Sequence, residues 1–161
     1  MKNVMIRIVS IMLVLTSASF ADSEVFVFNV PRAIERCIKS ASPQYKLSAR
    51  INPFYLRADF DGDGKIDHAV LMTNEKGQIV IAVCRAARAD KAEIVDIAAV
   101  PMGEREFDAW TVFPKGRVQR GVEAGRPPIL RGDALYVEWS ESASGLVYWD
   151  GRQFRWYQQG D

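Results

Sequence analysis

An α+β fold, mainly antiparallel strand with one N-terminal helix, follows from three features of the chain. Apolar residues at helical spacing occur clearly once, near residue 34. Beyond residue 53 the apolar positions recur with period two. Near the C-terminal end, Asp150-Gly151 separates two aromatic-rich runs, the pattern of a tight hairpin. With 161 residues, 48% hydrophobic and 25% charged, the chain has the size and composition of one folded domain.

The first residues read as a leader. Lys2 and Arg7 precede a short apolar run at 8–15, and Ser19-Phe20-Ala21 fits the small-x-small rule for cleavage. The run is about half the ~20 residues needed to span a bilayer. The expectation is a signal peptide over 1–21, a single calcium-loop β-rich domain over 22–161, and a periplasmic or secreted location. Loss of Lys2 and Arg7 moves the net charge from +1 to −1. Such a chain has no global pull on nucleic acid, and no membrane association is expected after cleavage.

The helix is expected over 30–41, where Ile34, Cys37, Ile38 and Ala41 form a buried stripe. Pro31 suits the first turn and Pro43 stops continuation. Phe54, Leu56, Ala58 and Phe60 should share one strand face, with Tyr55, Arg57 and Asp59 on the other. Residues 70–72 and Ile79–Cys84 are apolar throughout, as in central strands covered on both sides. Glu75-Lys76-Gly77 joins them. Further strands are expected at 94–98, Ala109–Phe113 and Ala134–Trp139. A single sheet with the helix against it is the architecture these elements suggest.

In the terminal hairpin, a two-residue Asp150-Gly151 turn would place Trp149 opposite Arg152, Val147 opposite Phe154 and Gly145 opposite Trp156. Val147, Trp149, Phe154 and Trp156 then form a core face, with Gly145 making room for the Trp156 indole. Leu146, Tyr148, Arg155 and Tyr157 fall on the other face, a candidate partner surface. The segment 115–131 carries Lys115, Arg117, Arg120, Arg126 and Arg131 against Glu123, with three glycines and two prolines. It reads as a long surface loop. Arg117, Arg120 and Arg126 are its candidate contacts to an acidic ligand or partner.

Cys37 and Cys84 are the two cysteines of the chain. In an oxidising compartment an even pair suggests a disulfide. Two separate buried thiols are the alternative. Cys37 lies on the helix stripe, facing the strand that would carry Cys84.

The run 59–67, Asp-Phe-Asp-Gly-Asp-Gly-Lys-Ile-Asp, concentrates like charges. Asp59, Asp61, Asp63 and Asp67 stand at loop positions 1, 3, 5 and 9, with Gly64 at the sharp turn. Lys65 stands where a backbone carbonyl is the usual ligand. Ile66 is expected to anchor the loop in the core. This spacing wraps a hard cation with oxygens, and calcium suits it better than magnesium, which demands a stricter octahedron. A metal-free Asp/Gly turn is the alternative. Position 12 is Val70 rather than the glutamate of an EF-hand, and the flanks are strands.

The run resembles the D-x-D-x-D-G-x-x-D calcium loops set between strands in FG-GAP and integrin-type repeats and in dockerin-like modules. The likeness covers about 17 residues. It implies Asp59, Asp61, Asp63 and Asp67 as side-chain ligands and Lys65 as a carbonyl ligand of Ca2+. The chain is too short for a propeller of such repeats. Its layout also resembles small exported bacterial proteins, a likeness that supplies no activity.

No catalytic constellation emerges. The sole histidine, His68, neighbours Asp67, but adjacent strand residues point to opposite faces. Ser140, Ser142 and Ser144 lack a base, and Glu138 with Glu141 reads as an exposed pair. No nucleophile elbow, zinc-protease motif, C-x-x-C or phosphate loop occurs. The functional expectation is an exported, non-catalytic calcium-binding module that mediates protein interaction. A periplasmic inhibitor or immunity-type protein, plugging an acidic cleft with 115–131, is the runner-up. A hydrolase with a structural calcium is the third class.

Overall fold

The structure is a computed structural model that describes residues 29–95, 106–121 and 125–160. The expected signal peptide, residues 96–98 of the strand expected at 94–98, and Glu123 lie outside the described residues. Among the described residues, no helix is long and apolar enough to cross a membrane.

The helix α1 spans Arg32–Ser40. The Pro31 carbonyl accepts from the Ile34 and Glu35 N–H groups at 2.9 and 3.1 Å, which starts the first turn. Ile34 and Cys37 are fully buried, as the stripe requires. The strands are β1 (Lys46–Leu47), β2 (Tyr55–Ala58), β3 (Asp67–Thr73), β4 (Ile79–Cys84), β5 (Ala92–Val95), β6 (Ala109–Phe113), β7 (Ala134–Trp139), β8 (Ala143–Trp149) and β9 (Phe154–Gly160). All pairings are antiparallel.

The strands divide into two sheets rather than one. In the first, β1 and β2 lie along β3, followed by β4 and β5. The second is the meander β6-β7-β8-β9. Strands apolar on both faces need two covers, and here they differ. Ala69, Leu71, Ile79, Ile81 and Val83 pack against Trp110, Leu135, Val137, Trp139 and Val147 of the second sheet. On the opposite face, Val70 and Cys84 pack under Ile34 and Cys37 of the helix. The Cys37–Cys84 disulfide, Cα–Cα 5.7 Å, joins that helix to the end of β4. The Trp110 indole N–H donates to the Pro53 carbonyl at 2.6 Å and ties the sheets together. Leu56, Ala58 and Phe60 share the inner face. Phe54 instead packs on the helix side, because the strand begins only at Tyr55.

The terminal hairpin has a longer turn than expected. Trp149 pairs with Phe154, Tyr148 with Arg155 and Val147 with Trp156, so residues 150–153 form the turn. The Asp150 carboxylate sets this length. It accepts the N–H groups of Arg152 and Gln153 at 2.7 and 2.9 Å, and Arg155 Nε at 3.0 Å. The register differs from the expected one by two residues, so each side chain keeps its face. Gly145 now pairs with Gln158, yet it still makes room for Trp156. A Cβ at Gly145 would lie 2.2 Å from the Trp156 ring, which meets Trp139 edge-on at 5.7 Å.

These contacts hold the Asp150 carboxyl down to a pKa of about 2. The Gln153 N–H contributes most, then the Arg155 side chain and the Arg152 N–H. A depressed pKa means that the contribution to folding is present above pH 3.8 and is lost as pH falls through about 2. An NMR titration of the side-chain carboxyl carbon should give a midpoint near 2. A midpoint at 3.8 would show that the turn is not capped in solution.

The segment 115–131 is not a free loop. Val118 and Leu130 are buried against Ala134, Leu146 and Tyr157 on the outer face of the second sheet. Lys115 N–H donates to Asp133 Oδ1 at 2.8 Å, and Gln159 Nε2 to the Gln119 carbonyl at 2.9 Å. Its described residues form a strap in which Val118 and Leu130 face inward while Arg117, Arg120, Arg126 and Ile129 are exposed.

Candidate metal centre

The aspartate loop bridges β2 and β3, the strands that pair through Ala58 and Asp67. Alternating aspartates and glycines favour tight turns in which carboxylates accept local N–H groups. Gly62 and Gly64 supply the left-handed positions, with φ of 79° and 82°. Asp59 accepts from the Gly62, Asp63 and Gly64 N–H groups at 2.7, 3.0 and 2.9 Å. Asp61 Oδ1 accepts from Asp63 N–H at 3.1 Å, and Asp63 Oδ1 from Lys65 N–H at 2.8 Å. The Asp59 carbonyl accepts from Asp133 N–H at 2.7 Å, which fastens the loop to the start of β7.

Asp59, Asp61 and Asp67 each offer a carboxylate oxygen, and these atoms lie within 4.8 Å of one another. The group can hold a metal ion. A carboxylate has about four lone-pair sites. The N–H donors leave each of the three with capacity to spare. Asp63 is not part of this cluster. It is exposed and pairs at 3.7 Å with the Lys65 ammonium. Ile66 is 51% exposed and anchors nothing. The buried anchor is Phe60, whose N–H donates to Asp67 Oδ2 at 3.0 Å. Asp67, at the start of β3, takes the inward position next to Ile66 and is fully buried.

Burial pushes the Asp67 carboxyl up to about 6, and the charge of Asp61 pushes the same way. The N–H groups of Ala86 and Phe60 oppose the shift. A raised pKa means that this group's contribution to stability is full below pH 3.8 and is lost as pH rises through about 6. Ionised Asp67 is thus costly at neutral pH unless positive charge is near.

Sequence reasoning missed one nearby cation. Arg85 follows β4 directly and is nearly buried, with 11% of its side chain exposed. Its Nη1 donates to Asp61 Oδ2 at 3.1 Å, while Nε and Nη2 donate to Glu93 Oε1 at 2.8 and 2.5 Å. The guanidinium lies 4.3 Å from the centroid of the Trp149 ring. Burial alone would lower its pKa, but the bonds to Glu93 and Asp61 raise it, so it stays charged. Nothing local marks Arg85 in the sequence, because both partners arrive through the fold.

The remaining nominated residues scatter. Arg155 is exposed and pairs with Asp150 at 3.0 Å. Tyr148 is half-buried, and Tyr157 is buried beneath the strap. The Tyr157 hydroxyl accepts from Gly121 N–H at 3.3 Å and donates to the Gly125 carbonyl at 3.4 Å. The face expected to be open to a partner is therefore largely covered by the chain's own strap. His68 is buried, and burial, then the nearby Arg57, lowers its pKa, which keeps the imidazole neutral at pH 7. No family model, curated protein or solved structure matches this chain significantly.

Proposed function

We propose that the protein is an exported, non-catalytic calcium-binding module that presents a surface to a protein partner. The observation that supports it is the convergence of Asp59, Asp61 and Asp67 on one point, braced by backbone N–H groups. Asp63 and the Lys65 carbonyl would complete an all-oxygen shell, of the kind calcium takes. Four aspartates and Glu93 share Arg85 and Lys65 locally, so a divalent cation would offset most of the remaining negative charge. The disulfide supports export, since such bonds persist in oxidising compartments. A second reading, an inhibitor or immunity-type protein, draws on Ile129, which is 93% exposed on the basic strap.

Calorimetric titration of chelator-treated protein tests the calcium site. One calcium per chain is expected at pH 7, with a dissociation constant of about 0.1–1 mM, as in extracellular modules. Below about pH 6 the ion must displace the Asp67 proton. Apparent affinity at pH 5 should therefore be about tenfold weaker than at pH 7. Absence of heat at both pH values would refute the site.

A further inference from the structure

Two sheet edges meet on one side of the sandwich. Among the described residues, β5 ends the first sheet and β9 ends the second. A groove of about 550 Å³ lies between them, lined by Arg88, Lys91 and Glu93 on one side and Arg152, Phe154 and Trp156 on the other. Phe154 and Trp156 pack onto the core and give the groove an apolar floor. Arg88, Lys91 and Arg152 are exposed and form no ion pair among the described residues. Glu93 is already engaged by Arg85. The lining therefore offers positive charge without a competing free carboxylate. Each edge strand also turns alternate backbone N–H and C=O groups away from its partner strand; on β5 the Ala92 N–H is already taken by Ser40 Oγ at 2.9 Å, which leaves β9 as the longer edge.

We propose that this groove binds an extended acidic peptide segment. Its carboxylates meet Arg88, Lys91 and Arg152, and its backbone pairs with a strand edge. A polysaccharide or nucleic acid would use the charges but not the strand edges. The strap offers cations without a sheet edge, so the groove is the better peptide site. The assignment rests on the reading of the protein as an interaction module and gives that module its surface. It does not require the calcium site.

The test pans a library of random ten-residue peptides on the oxidised protein, once in calcium and once in chelator. Enriched peptides should carry Asp or Glu at alternate positions between apolar residues. By fluorescence anisotropy, Arg88→Glu, Lys91→Glu and Arg152→Glu together should weaken the best peptide at least tenfold. Reversal of Arg117, Arg120 and Arg126 to Glu should leave it unchanged. Amide shifts on peptide addition should concentrate in β5 and β9, a readout that needs no variant. Failure to enrich acidic sequences, an unaffected groove variant, or tighter binding of a heparin fragment or single-stranded oligonucleotide would overturn the proposal. Peptide binding in both calcium and chelator, without calorimetric calcium heat, would keep the groove and sink the calcium reading.

Discussion

Replacing Cys37 and Cys84 together by serine should lower the melting temperature by about 8–16 °C. The bond closes a loop with a sequence separation of 47 residues. The loop-closure entropy removed from the unfolded chain corresponds to about 4 kcal/mol. For a chain of this size each kcal/mol moves the melting temperature by about 2–4 °C. The disulfide also sits where α1 meets β4, so its loss frees the cover of the first sheet. Circular dichroism melts of the oxidised protein and the double variant measure the difference. Thiol labelling of unfolded, unreduced protein should find no free cysteine. Two labelled thiols, or melts within 2 °C of each other, would show that the bridge does not form or does not matter.

Calcium should raise the melting temperature by several degrees over chelator. At ten to a hundred times its dissociation constant, a ligand adds about 1.4–2.7 kcal/mol, or about 3–11 °C here. Magnesium should add less, since it gives up its waters reluctantly. Asp61→Asn keeps the side-chain shape but removes one charge that faces the site, and should abolish most of the calcium shift. The structure makes the chelator arm informative. Arg85 spans Asp61 and Glu93, so the variant retains one carboxylate partner for that guanidinium. It also removes the charge that raises Asp67. The two changes oppose each other, so its melt in chelator should stay close to that of the unaltered protein. Superimposable melts of the unaltered protein in calcium and chelator would mean that the aspartates only make a turn.

The sequence carried its local signals well. The stripe Ile34-Cys37 and the wholly apolar Ile79–Cys84 each found their expected element, and of the four spaced aspartates Asp59, Asp61 and Asp67 come together while Asp63 does not. What it did not carry is set by contacts distant along the chain. The division into two sheets depends on which strand edges stay unpaired, and periodicity is silent about that. Asp150 lengthened the turn through bonds to Gln153 and Arg155, while the parity of the strands preserved both faces. Ile66 looked like an anchor by composition, but Phe60 and Asp67 already occupied the inward positions. Tyr157 looked like surface until the strap folded over it. Arg85 had no local mark because Asp61 lies 24 residues before it.

Arg85 has a practical consequence. The guanidinium that bonds Asp61 also stacks on Trp149, so the indole stands one side chain away from the aspartate loop. Indole emission responds to the electric field across the ring. A cation that takes up the charge of Asp61 changes the pull on Arg85 and with it the field at Trp149. Trp149, one of four tryptophans in the chain, is thus placed as an unlabelled optical gauge beside the candidate ion site, and a change in its emission is the signal expected if the loop takes up an ion.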